Sequence, residues 1–168
     1  MSGLYLLSVW IHLLAATAWI GAMLFFAVVV VPSLRDPGVA PSAPAVLRAV
    51  GKRYRIFGQA SLAILVVTGV SNLLLRGFGW TILTNASFWQ MGFGRTLAHK
   101  LVAVAGVIVA TVMHDVWMGA RATKLITESP ASPEARALRR RASVLGRLTL
   151  ILSLAVLFFA VELVRGAP

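Results

Sequence analysis

"LYLLSVWIHLLAATAWIGAMLFFAVVVV", residues 4–31, contains no acidic or basic side chain except His12. A helix of about 20 apolar residues crosses a hydrocarbon core about 30 Å thick. A helix on the surface of a soluble protein carries a polar face, and this run has almost none. The chain repeats the pattern at 56–76, 96–119 and 144–165, where "LILSLAVLFFA" is as apolar as "FFAVVVV". Four spans joined by modest connections predict an all-α, single-domain, up-down-up-down transmembrane bundle over residues 1–168. The first span is not expected to be a cleaved signal, because no basic segment precedes it and its apolar run is too long.

The 168 residues carry a formal charge of +11, yet only 12% of them are charged. The basic residues are grouped. Arg48, Lys52, Arg53 and Arg55 lie between spans one and two, and Arg121, Lys124, Arg136, Arg139, Arg140, Arg141 and Arg147 between spans three and four. The second connection offers mainly Arg76 and Arg95 at its edges. The positive-inside rule then puts the first and third connections in the cytoplasm and both termini outside. A multi-pass protein of a bacterial inner membrane is expected, with the basic segments meeting anionic headgroups and no nucleic-acid partner. There is no cysteine, so disulfides and thiolate metal sites are excluded.

Between Pro32 and span two, "PSLRDPGVAPSAP" reads as an irregular connector. "VLRAVGKRYR" reads as a short basic helix at the membrane interface. The connection "RGFGWTILTNASFWQMGFGR" places Trp80, Phe88 and Trp89 where an aromatic belt is expected. Ser132, before Pro133 and Glu134, reads as the start of the helix leading into span four.

Polar residues inside a membrane are costly and mark candidate sites. They are His12 and Thr17 in span one, Thr68 and Asn72 in span two, His99, Lys100 and His114 with Asp115 in span three, and Thr149, Ser153 and Glu162 in span four. Alternation of the spans puts His12, Asn72, His99, Lys100 and Glu162 in the same outer half. Ala15, Ala16, Ala18, Gly21 and Ala22 thin the first helix, and Ala103, Gly106 and Ala110 the third. Such faces admit close helix packing, or a flat cofactor. An imidazole ligand, room for a macrocycle, an aromatic wall at Trp19 and cations at Lys100, Arg95 and Arg76 are what a haem needs. Plainer readings stand beside this one. His12 can hydrogen-bond across helices, Lys100 can snorkel, and Glu162 can pair with Arg165 one turn on. In "MHDVWM", His114 and Met118 share a face and suit copper(I).

"WIHLLAATAWIGAMLFFAVVVVPSLR", "VVTGVSNLLL" and "GRTLAHKLVAVAGVIVA" together resemble the integral-membrane domain of the copper-resistance D (CopD) family and the related HemJ-type protoporphyrinogen oxidases. The resemblance covers spans one to three. It implies a haem b-binding membrane protein whose functional positions, a span-one histidine and a span-three lysine, fall on His12 and Lys100. The expectation is electron transfer, alone, as a homo-oligomer or as a subunit of a larger respiratory assembly, with quinol or a porphyrinogen as donor. His12 ligates the iron, and His99 or Lys100 lies opposite or supports a propionate. The copper branch implies copper movement instead, with His12, Met23, His114 and Met118 as stepping stones. A non-catalytic membrane subunit, its polar residues merely packing helices, is the third reading.

Overall fold

The computed structural model describes residues 3–117, 124–125, 129 and 132–166. Four long helices carry the fold, α1 (Gly3–Phe25), α2 (Ala43–Leu75), α3 (Gly92–Trp117) and α4 (Pro133–Arg165), and no strand occurs among the described residues. All four are long and apolar enough to cross a membrane. Their outward faces agree, since Leu4, Val67, Val102, Val116, Ile151 and Phe158 each leave more than 60% of their surface uncovered. Apolar surface of that extent on every helix belongs against lipid.

Local chemistry sets the helix ends. Pro32 lacks an N–H and crowds the carbonyl four residues back, so a regular turn cannot pass through it. The chain responds with a π-helical turn at Phe26–Val30, in which the Val31 N–H reaches back five residues to Phe26 O, and closes with Val31–Ser33. Helix α2 stops at Gly77, whose φ of +88° no other residue type adopts cheaply. Phe78 N–H then bonds Leu73 O at 3.1 Å and Gly77 N–H bonds Leu74 O at 2.9 Å, a Schellman closure. Ser132 starts α4 as expected, its hydroxyl accepting the Ala135 N–H at 3.1 Å, with Pro133 next in line.

One expectation is revised. "VLRAVGKRYR" is helical, as expected, but it is not a short element: it forms the first three turns of α2, which runs unbroken for 33 residues. Nothing in Ala43–Leu75 breaks the helix after Pro44, which sits harmlessly in its first turn. Thirty-three residues make a rod about 50 Å long, and α4 has the same length. Both therefore overrun an apolar layer of about 30 Å. In each the excess is the basic segment, so one end of the bundle is basic and the other carries both chain termini.

The helices pack as two tight antiparallel pairs, α1 with α2 and α3 with α4, joined more sparingly between α1 and α4. Each pair keeps one register. His12 faces Thr68, and about four turns on the Phe26 ring meets Tyr54 at 5.4 Å between centroids. In the second pair the same register joins His99 to Phe159, Gly106 to Leu152 and Trp117 to Arg141.

Trp19, Met23 and Val107 form the buried core where the pairs meet, flanked by Leu62, Leu65, Leu150 and Leu152. The Trp19 indole N–H donates to Ser153 Oγ at 3.1 Å, and Ser153 donates in turn to Thr149 O at 2.8 Å. A Cβ on Gly58 would come within 3.0 Å of the Trp19 ring, so glycine there lets the indole lie against α2. Trp19→Phe removes the donor and part of the ring. It is expected to lower stability by about 1–2 kcal/mol, read as a lower unfolding midpoint in detergent.

Candidate functional site

The polar residues of the two pairs meet toward the terminal end, about two turns above the Trp19 core. His12 Nδ1 and Thr68 Oγ1 are 2.7 Å apart. With the Thr68 hydroxyl donating to Ile64 O at 2.6 Å, an oxygen lone pair is left to accept a hydrogen bond from Nδ1–H. An Nδ1–H donor at this contact corresponds to the tautomer in which Nε2 carries the lone pair. The ring packs on Gly69, where a Cβ would stand 3.5 Å from His12 Cε1.

One turn farther toward the terminal end the register sets Ser8 opposite Asn72. Ser8 Oγ and Asn72 Oδ1 are both buried and have no hydrogen-bond partner among the described residues. Buried polar atoms are rarely left so. Lys100 of α3 is half-buried and close enough to His12 to interact with it electrostatically. Ser8, His12, Thr68, Asn72 and Lys100, from three helices, are the candidate site.

The structure divides the expected cluster in two. Asn72 and Lys100 join His12, whereas His99 does not. One residue along an α-helix turns the side chain by about 100°, which carries His99 to the α3–α4 side, where it is exposed with its ring 5.6 Å from Phe159. There it lines a groove of about 340 Å³ with Gly92, Arg95, Thr96, Phe159 and Glu162. Arg95, expected beside a propionate near His12, is exposed in that groove, as part of the His99 group. Glu162 makes no ion pair with Arg165 among the described residues. Arg76 lies instead over the Phe93 and Phe78 rings, 5.4 and 5.9 Å from their centroids.

At the core level two glycines lie against the chain's own side chains, whereas Gly21 has nothing within 4 Å. Trp19 covers Gly58, and Leu152 lies 3.0 Å from where a Gly106 Cβ would be. Trp19 is thus a core residue tied to Ser153 and not an open wall, and Met23 is buried beside it. At the basic end, His114 Nδ1 is 3.9 Å from Asp115, whose other oxygen accepts from Gln59 at 2.7 Å. Met118, its expected copper partner, lies outside the described residues, and no group of three or more His, Cys, Asp or Glu residues suited to a metal occurs among them.

Ser8 and Gln59 were not singled out in the sequence. Ser8 had a signal, since it precedes His12 by one turn on the same face. Gln59 had none, because its partner is on another helix.

No protein-family profile and no solved structure matches the chain. A protein of Aquifex aeolicus (strain VF5), described as an uncharacterized protein, is 33% identical over 162 residues, which cover 95% of each chain. At that identity and coverage the similarity extends through all four spans, and the chain belongs to the same family as the Aquifex aeolicus protein.

Proposed function

We propose that this is a membrane redox protein that holds haem b through His12, oriented in a bacterial inner membrane with both termini outside. The observation that carries the reading is the 2.7 Å contact of His12 Nδ1 with Thr68 Oγ1, whose hydroxyl lies 2.6 Å from Ile64 O; the tautomer that matches it leaves Nε2 to bind a metal. Metal-ligating histidines are commonly held in this way by a second hydrogen bond. The remaining donor set fits as well. Lys100 supplies an amine or a counter-charge from the facing helix pair, and the Ser8 hydroxyl, buried without a hydrogen-bond partner among the described residues, can donate to a propionate oxygen. A haem b bound there supplies one-electron chemistry.

The chain's own part is to orient the ligand and keep water from it. Thr68 holds the imidazole plane, Gly69 sets its distance from α2, and the Trp19 core closes the seam below. Because the site lies within the apolar part of the bundle, its electron donor is expected to be lipid-soluble, a quinol or a porphyrinogen.

The test is an oxidised-minus-reduced visible spectrum of detergent-purified protein expressed with ample haem supply, with pyridine-haemochrome quantitation. About one b-type haem per chain is expected from one histidine site, and a flat spectrum would refute the reading. Thr68→Val removes the acceptor and frees the ring to turn. It is expected to weaken haem retention about 10- to 100-fold, measured by transfer to apomyoglobin.

A further inference from the structure

At the basic end, the close of α3 and the first half of α4 enclose a groove of about 300 Å³ lined by Trp117, Arg140, Arg141, Val144 and Leu145. Arg140 and Arg141 are both exposed, and the Arg141 guanidinium sits 5.8 Å from the Trp117 ring centroid. That cation–π contact holds one cation at the mouth of the groove. No acidic side chain is among the described residues that line it.

Immediately along α4 the character changes. Val144 is 54% exposed and Leu148 44%, and from there to Val161 the helix is apolar apart from Arg147 and small hydroxyls. The groove therefore has two guanidiniums at one end, a tryptophan at headgroup depth and an uncovered aliphatic face below. An occupant must be anionic at its head and apolar beneath, at the level where the helix enters the bilayer.

We propose that this groove is a binding site for an anionic phospholipid, with the phosphate on Arg140 and Arg141 and an acyl chain along Val144 and Leu148. The planar donor forks of arginine suit phosphate oxygens. A soluble anion would satisfy the cations but leave the aliphatic face uncovered.

Native mass spectrometry tests it on the full chain, released from nanodiscs of equal phosphatidylglycerol and phosphatidylcholine. The wild type is expected to retain phosphatidylglycerol in preference. R140Q/R141Q is expected to lose that preference by about 25-fold, from roughly fivefold per arginine, with helicity unchanged because both side chains are exposed. Arg53→Gln, a basic residue of α2 at the same end, is expected to leave it intact. Equal retention by the double variant would overturn the proposal. So would an equal loss in Arg53→Gln, which would mean diffuse attraction. A dimer that dissociates on double substitution without a change in lipid would also overturn it, since the groove would then hold a second copy.

Discussion

His12→Ala is expected to insert and fold as the wild type does and to retain less than about a tenth of its haem, as expected when a sole imidazole ligand is removed. The two halves of that expectation have separate causes. The cross-helix hydrogen bond it removes contributes only about 0.6 kcal/mol on average within a membrane, and alanine is the better helix former. Thr68 keeps its bond to Ile64 O, so no buried hydroxyl is stranded. The pairing of α1 with α2 survives through Phe26 and Tyr54, far from the site. Circular dichroism and the unfolding midpoint should therefore be nearly those of the haem-free wild type while the Soret absorbance collapses, and added imidazole should restore part of it. His99→Ala is the counterpart. With its ring exposed against Phe159, it should leave the haem content near that of the wild type. A His12 variant with full haem content, or a His99 variant without haem, would move the ligand to the other side of α3.

The second large effect is expected at Gly94, and it is structural. The short helical turn Ala86–Gln90 folds back on the start of α3, seating the Phe88 carbonyl directly against Gly94. An added Cβ would collide with main chain at Phe88 and Trp89, and no rotamer change can relieve that. The turn is fastened from several sides. Phe78 stacks on Phe93 at 4.8 Å, Phe88 packs edge-on to Trp89 at 5.1 Å, and the Trp89 indole N–H bonds Leu83 O at 2.9 Å. Gly94→Ala must lift this connection or shift α3. A loss of about 3 kcal/mol or more is expected, at the upper end for overpacked sites. A midpoint within a degree of the wild type in thermal unfolding would disprove the close approach.

The spans were legible because hydrophobicity and length decide them one helix at a time, and Ser132 because an N-cap is local chemistry. What depended on a second helix was harder to read. The sequence grouped His99 with Lys100 because they are adjacent and at one depth, but adjacency on a helix means divergent directions, and only packing tells which of the two faces His12. Trp19 read equally well as a wall or as core, and its choice is set by Ser153, 134 residues away. Phe88 reads from the sequence only as an aromatic at belt depth; that it is buried depends on the connection folding inward over Gly94. Asn85, within the motif "NAS", is occupied in capping its own turn, accepting from Ser87 N–H at 3.0 Å and Ser87 Oγ–H at 2.7 Å.

The constant register of each helix pair also limits how this family can diverge. A single residue lost between Arg141 and Phe159 would turn the contacts on one side of the deletion by about 100° relative to the other. Trp117, Gly106 and His99 would then no longer all meet their partners. Substitutions can accumulate freely on faces turned to lipid, whereas length changes are tolerated only in the connections. Homologues should accordingly keep the spacing from Thr68 to Asn72 and from Ser8 to His12 while their loops grow or shrink.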